Sequence, residues 1–137
     1  MLLTTEDRAA ALGLTPLARV VDSLLVGVDP VMMLLGPHEA VPALLERNGR
    51  TLDEIAVIEI NEAFASVVLS FADELKADPD TINPNGGAIA LGHPLGATGG
   101  VLITKATHEL NRSQGRYAVI TMCCGGGLGT ATLLERL

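Results

Sequence analysis

Two long stretches of this chain contain no charged side chain, and both are interrupted by glycine. They cover residues 81–104 and 117–134, whereas 19 of the 25 charged residues lie within residues 1–80. The glycines, together with Asn, His and Pro in the first stretch, argue against a membrane span. We therefore expect the second half of the chain to be a buried sheet and helix or a binding site, and the glycine density favours a site.

Composition indicates one folded domain spanning residues 1–137. Hydrophobic residues make up 48% of the chain and the mean hydropathy is +0.40, which argues against disorder. The formal net charge is −7 and the aromatic side chains are only Phe64, Phe71 and Tyr117. Nucleic-acid binding needs a basic surface or aromatic stacking platforms, so this class of function is set aside.

The two cysteines, Cys123 and Cys124, are neighbours. Adjacent cysteines rarely form a disulfide because the intervening peptide strains its geometry, so we expect a reducing, cytoplasmic compartment. They also lack the spaced pairs of ligands that a zinc site needs, and no metal is expected. The first residues show no basic stretch followed by an apolar run, so no signal peptide is predicted.

Predicted helices and strands alternate along the chain, which is typical of an α/β layered fold. Helices are predicted over residues 6–12, 37–48, 63–76 and 94–111, and strands over 18–28, 55–60, 116–123 and 129–134. A three-glycine turn at 125–127 indicates that the last two strands are antiparallel neighbours. The prediction is a mixed β-sheet flanked by helices.

Three segments contain residues suited to catalysis or binding. Asn61 begins the first of them, the run Asn-Glu-Ala-Phe after a predicted buried strand. Residues at the carboxyl ends of strands in open α/β sheets commonly face a ligand crevice. Taken alone, Asn61 is better interpreted as the cap of the following helix.

His93 lies in the second segment, residues 83–100, which contains six glycines. Pro94 suits the first turn of a helix, so His93 is predicted at a helix N-terminus, where the dipole stabilises nearby anions. A phosphate-binding loop is disfavoured because the segment has no lysine. A purely structural glycine-rich turn, with His93 as a core residue, stays open.

Cys123 begins the third segment, where a strand is followed by three glycines. The backbone N–H groups of such glycines are free to converge on one point, as in an oxyanion hole. A thiol is a poor base or nucleophile at neutral pH unless its pKa is lowered, which a helix N-terminus and an imidazole would do. The alternative is a buried, inert cysteine.

These segments together resemble the thiolase superfamily. Asn61, His93 and Cys123 follow one another 32 and 30 residues apart. They stand in N-E-A-F, N-G-G-A-I-A-L-G-H-P-L-G-A-T-G and C-C-G-G-G-L-G, which match the family patterns. The segments L-G-L-T-P-L-A-R-V and G-V-D-P near the beginning are also thiolase-like, so the resemblance covers essentially the whole chain and implies one of the two similar halves of a thiolase.

The resemblance implies four catalytic positions. The general acid/base falls on Cys123. The histidine that activates the nucleophilic cysteine and helps to form one oxyanion hole falls on His93. The asparagine that holds the water completing that hole falls on Asn61, and the backbone N–H of a second oxyanion hole falls on Gly125.

The resemblance also implies the substrate. Ala63 and Phe64 match positions that line the channel for the pantetheine arm of coenzyme A. Acyl-CoA and CoA would be the substrates, in fatty acid metabolism or beta-oxidation, and no metal or redox cofactor would be needed. The reaction would be that of an acyl-CoA C-acyltransferase, either thiolytic cleavage of a 3-ketoacyl-CoA or Claisen condensation.

One departure from the family is large. The acylated nucleophile of a thiolase is a different cysteine in the N-terminal half, and this chain has no candidate for it. We therefore expect an N-terminal thiolase half as partner, and a homo-oligomer. A fragment, one subunit of a split enzyme and a truncated paralogue all fit this pattern. The alternatives in function are a decarboxylating ketoacyl synthase, disfavoured because its motifs differ, and a non-catalytic thiolase-like binding or scaffolding module.

Overall fold

The computed structural model describes residues 1–137 and has five α-helices and four β-strands. The helices are α1 (Glu6–Ala11), α2 (Gly36–Arg47), α3 (Ala65–Leu75), α4 (Ala88–Leu91) and α5 (Thr98–Ser113). The strands are β1 (Ala18–Gly27), β2 (Ile55–Ile60), β3 (Tyr117–Cys124) and β4 (Leu128–Arg136). None of the helices combines the length and apolar character needed to cross a bilayer.

The four strands form one mixed sheet in the order β1-β4-β3-β2. Strand β4 pairs antiparallel with β1 and β3, whereas β2 and β3 are parallel. The predicted antiparallel pairing of the last two strands is confirmed. Because parallel strands end at the same edge of a sheet, the residues that follow β2 lie beside the end of β3.

Helices cover both faces of the sheet, as the alternating pattern predicted. One apolar cluster lies between the sheet and helices α2 and α3, and includes Leu44, Phe71, Ile60, Val119 and Leu133. A second cluster lies between the opposite face and helix α5, and includes Leu102, Ala106, Leu110, Val57 and Ile120. The sheet is therefore the middle layer of three, and the α/β prediction is confirmed.

The start of α5 differs from the prediction. The helix begins at Thr98 rather than Pro94, and the backbone N–H groups of Ala97 and Thr98 both donate to the Pro94 carbonyl, at 2.8 and 2.9 Å. Residues 94–97 thus close a turn ahead of the helix. His93 therefore precedes the first helical residue by one turn and is not the N-cap.

A short helix, α4, lies inside the segment that was predicted as a loop. It ends at Gly92, whose φ of 94° lies in the region that favours glycine. All other predicted elements agree with the structure to within two residues at each end.

Candidate active site

Asn61 follows β2 directly and is only 2% exposed. Its backbone N–H donates to the carbonyl of Thr121 on β3 at 3.0 Å, which places Asn61 near the end of that strand. Its side-chain Nδ2 lies 3.3 Å from His93 Nε2, and its Oδ1 is buried without a partner. The residue that caps α3 is Phe64, so the alternative interpretation of Asn61 as a helix cap is wrong.

His93 is held by a chain of hydrogen bonds that sets its tautomer. Its Nδ1 lies 2.7 Å from Thr98 Oγ1, and that hydroxyl donates to the Pro94 carbonyl at 2.9 Å. Because a threonine hydroxyl has a single hydrogen, which goes to the Pro94 carbonyl, Oγ1 has to accept from the Nδ1–H of the ring. Nε2 then carries the lone pair of the ring and accepts a hydrogen bond from the Asn61 amide. Nε2 is therefore the nitrogen at which the ring takes up a proton, a step that breaks the contact with Asn61 Nδ2.

Cys123 lies near the end of β3, on the face of the sheet that packs against α2 and α3. Met122 packs on the opposite face, against the α5 cluster. Burial raises the pKa of the Cys123 thiol, and the neighbouring Cys124 raises it further. Desolvation disfavours the thiolate, so the surroundings of Cys123 in this chain do not lower the pKa of the thiol. No hydrogen bond links Cys123 to Asn61 or His93.

The glycine turn after Cys124 presents unpaired backbone donors. Gly126 and Gly127 adopt φ angles of 80° and 79°, which side chains tolerate poorly. None of the backbone N–H groups of Gly125, Gly126 and Gly127 donates to another backbone group. Gly125 itself is exposed to solvent. Its role in an oxyanion hole stays a prediction.

The loop that precedes α2 supports this turn. The N–H of Val28 donates to the Gly127 carbonyl at 2.7 Å. A Cβ added at Gly127 would lie 2.6 Å from the Val28 carbonyl oxygen, and one added at Gly129 would lie 2.5 Å from the Gly36 backbone. The turn is therefore held by direct backbone contact, which only glycine allows.

The two predicted substrate-contacting residues differ in environment. Ala63 is partly buried and packs against the cluster beneath α2 and α3. Phe64 is 61% exposed, which is high for a phenylalanine and leaves its ring available for contact with a ligand. Their role in lining a pantetheine channel stays a prediction.

The sequence analysis did not identify Glu62 or Thr98. Glu62 contacts the loop that carries His93, and Thr98 contacts the His93 ring. Glu62 accepts hydrogen bonds from Asn83 Nδ2 and from the Ile89 N–H, both at 2.8 Å. A signal was present, because Glu62 is the only charged residue between Ile60 and Ala72. Thr98 gave no such signal, since a threonine at the start of a helix is ordinary.

Comparisons with known proteins identify the family of this chain. Residues 14–136 match the family model described as "Thiolase, C-terminal domain". The chain is 50% identical over 137 residues to the steroid 3-ketoacyl-CoA thiolase FadA6 of Mycobacterium tuberculosis. It is 52% identical over 125 residues, or 91% of its length, to the beta-ketothiolase BktB of Cupriavidus necator. It spans about a third of each relative, 34% and 32% respectively.

The fold gives the same result. The crystal structure of human mitochondrial 3-ketoacyl-CoA thiolase matches 97% of this chain with a TM-score of 0.94 and 41% sequence identity. The matching region is 34% of that human chain. Sequence family, curated relatives and fold therefore agree, and the chain belongs to the thiolase family, of which it represents the C-terminal half.

Proposed function

We propose that this chain is the catalytic C-terminal half of an acyl-CoA C-acyltransferase, which works with an N-terminal thiolase half. The observation that carries the proposal is the hydrogen bond between Asn61 and His93, beside the strand that bears Cys123. Asn61 Oδ1 is buried and unpaired there. A buried acceptor without a partner is suited to binding the O–H of an ordered water.

His93 supplies a base and then a hydrogen-bond donor. In its neutral form, Nε2 accepts the proton of the nucleophilic cysteine on the N-terminal half. The thiolate attacks C3 of the 3-ketoacyl-CoA, the C2–C3 bond breaks, and its electron pair passes to the enolate of acetyl-CoA. Protonated His93 and the water on Asn61 then donate hydrogen bonds to the enolate oxygen.

Cys123 supplies the proton that completes this cleavage. Because burial raises the pKa of its thiol, Cys123 is held as S–H, the form that protonates C2 of the enolate. The resulting thiolate takes the proton of an incoming CoA thiol, and the CoA sulfur attacks the acyl-enzyme. The nucleophilic cysteine of the N-terminal half leaves as a thiolate and takes back the proton held by His93. The reverse sequence is a Claisen condensation.

The substrates are acyl-CoA thioesters, in the direction of fatty acid breakdown or of synthesis. We propose that the exposed Phe64 ring and Ala63 contact the pantetheine arm, and that the Gly125 N–H donates to the acyl-enzyme oxygen. A cytoplasmic, reducing compartment is proposed because Cys123 has to remain a thiol. A homo-oligomer of the assembled enzyme is also proposed.

The test is reconstitution of activity. The chain is fused to, or mixed with, the preceding part of the Cupriavidus necator beta-ketothiolase, and CoA-dependent cleavage of acetoacetyl-CoA is measured. We expect no turnover by the chain alone and turnover by the assembly. Cys123→Ala should lower turnover by roughly a hundredfold or more, because the proton-transfer step is lost.

Cys124→Ala is the matched control, since neighbouring residues on a strand face opposite sides of the sheet. It should leave turnover near that of the assembled wild type and cost about 1 kcal/mol in stability. If Cys124→Ala abolished turnover while Cys123→Ala left it nearly normal, the assignment of the acid/base to Cys123 would be wrong by one residue. Binding of CoA thioesters without turnover by a correctly folded assembly would favour the non-catalytic binding module.

A further inference from the structure

Glu62 occupies a place in this site that the catalytic scheme does not use. Its carboxylate contacts residues 83–89, the part of the chain that leads to His93. The preceding residue, Asn61, contacts the His93 ring itself. We propose that Glu62 is a positioning residue that holds this segment at the end of β2 and so places His93 against Asn61. The inference rests on the role proposed above for His93.

Both oxygens of the carboxylate are engaged. Oε1 accepts from Asn83 Nδ2 and Oε2 accepts from the backbone N–H of Ile89, each at 2.8 Å. Ile89 is the second residue of α4, and its N–H has no partner within the helix. Charged acceptors form stronger hydrogen bonds than neutral ones, so Glu62 joins the start of α4 firmly to β2.

Gly87 is required for this contact. A Cβ added at Gly87 would overlap the carboxyl carbon and both oxygens of Glu62. The φ of Gly87 is −108°, which any residue adopts. The need for glycine here therefore comes from the close approach of Glu62 and not from the backbone conformation.

The link from Glu62 to His93 is short. Helix α4 has four residues, too few to be stable without external contacts. It ends two residues before His93, which is itself exposed to solvent. The ring is held by Asn61 and Thr98 alone. Only Gly92 separates α4 from His93, so we expect a displacement of α4 to shift the backbone of His93.

Other contacts anchor the same segment further from His93. Lys105 Nζ donates to the Gly86 carbonyl and pairs with the buried Glu59 at 2.6 Å. Glu109 accepts from Asn85 Nδ2 at 2.8 Å. These contacts hold the segment before Gly87, so Glu62 is the only side chain that holds α4 itself through a hydrogen bond.

Hydrogen exchange in the 137-residue chain, read by mass spectrometry at high dilution, tests the proposal without any turnover. Two exchange rates are measured: that of the Ile89 backbone amide and that of the imidazole C2 proton of His93. Glu62→Gln keeps the size of the side chain but leaves one oxygen to accept both bonds. We expect the Ile89 amide to lose roughly tenfold protection. We expect the His93 C2 proton to exchange several-fold faster.

Gly87→Ala approaches the same contact from the other side. Its Cβ displaces the flexible carboxylate rather than the backbone, so the chain should stay folded and reproduce the exchange pattern of Glu62→Gln. Glu109→Gln is the matched control, because it weakens a buried carboxylate contact to the same segment. It should leave the His93 exchange rate unchanged.

The imidazoles of His38 and His108 report on the rest of the fold. Their exchange rates should be the same in wild type, Glu62→Gln and Gly87→Ala. If the His93 C2 proton exchanged at the wild-type rate in both Glu62→Gln and Gly87→Ala, the proposal would be overturned. Equal acceleration at His38, His108 and His93 would also overturn it, because Glu62 would then act on global stability and not on the placement of His93. Either result would leave the reconstitution test of function unaffected.

Discussion

The Thr98 hydroxyl controls which nitrogen of His93 carries the proton. It is 3% exposed and donates to the Pro94 carbonyl, which obliges it to accept from His93 Nδ1. The lone pair of His93 is thereby directed at Asn61. In the mechanism that we propose, this hydroxyl keeps the proton-accepting nitrogen of His93 at Nε2.

Thr98→Val should impair the assembled enzyme while Thr98→Ser should not. Valine has the same shape but leaves the Nδ1–H of His93 without its acceptor, at a cost of about 1–3 kcal/mol in stability, whereas the Pro94 carbonyl keeps its two backbone donors. The ring is then free to adopt the other tautomer, so we expect kcat to fall by roughly tenfold or more. Steady-state kinetics of both variants provide the test. Equal activity of the valine and serine variants would contradict the tautomer assignment.

The raised pKa of Cys123 predicts slow alkylation at neutral pH. Thiolate is the reactive form, and burial shifts its formation to higher pH than in an ordinary cysteine. In a Cys124→Ala background, the rate of iodoacetamide labelling should therefore rise with pH to a midpoint above that of a cysteine-containing peptide. The rate is followed by mass spectrometry. A midpoint below that of the peptide would show an activated thiolate and contradict the acid role.

At the scale of elements, the site depends on how closely α2 approaches β4. Gly36, the first residue of α2, and Gly129, the second residue of β4, are in backbone contact. This contact fixes the end of the β3–β4 hairpin, and with it the glycine turn beside Cys123. Gly129 is also the pairing partner of Cys123 across the hairpin, so the same contact constrains the backbone that bears the thiol.

Gly129→Ala and Gly100→Ala should have opposite effects on stability. A Cβ at Gly129 would lie 2.5 Å from the Gly36 backbone, so the helix has to move, at a cost of about 1–3 kcal/mol. A Cβ at Gly100, inside α5, meets no atom within 4 Å. There alanine should stabilise the chain by about 0.5–1 kcal/mol. Urea denaturation of both variants measures the difference. Destabilisation of equal size would contradict it.

At the scale of the whole molecule, large apolar side chains around the candidate site are uncovered. Val31 is 87% exposed, Leu95 86% and Ile89 69%. They come from three segments next to the glycine turn and His93. Helix α5 buries one face on the sheet and leaves Val101 40% exposed. Exposed apolar surface of this kind is typical of an interface with another chain or domain.

The chain by itself should therefore self-associate and bind hydrophobic dyes. Association buries the uncovered apolar side chains, which is favourable in water. Sedimentation velocity across a dilution series and fluorescence of a hydrophobic dye measure both effects. Addition of an N-terminal thiolase half should reduce dye binding. A monomer at all concentrations that binds no dye would contradict the expectation of a covering partner.

Much of the fold and part of the site were predictable from residue patterns. Apolar periodicity located the four strands and all helices except α4, and the three-glycine turn predicted the antiparallel pairing of β3 and β4. Local patterns marked Asn61, His93 and Cys123 as candidates, each with a structural alternative, and only the resemblance to thiolases implied their roles. These features depend on residues close together in the chain, which is why they are visible in the sequence.

Only the tertiary structure decided how those residues act together. The tautomer of His93 depends on Thr98 and Asn61, and the anchoring of α4 depends on Glu62, which lies 27 residues from Ile89. The pKa of Cys123 depends on which face of the sheet it occupies and what covers it. Hydrogen bonds and burial act over a few ångströms between distant segments, so they are set when β2, α4 and α5 pack together and not by any local pattern.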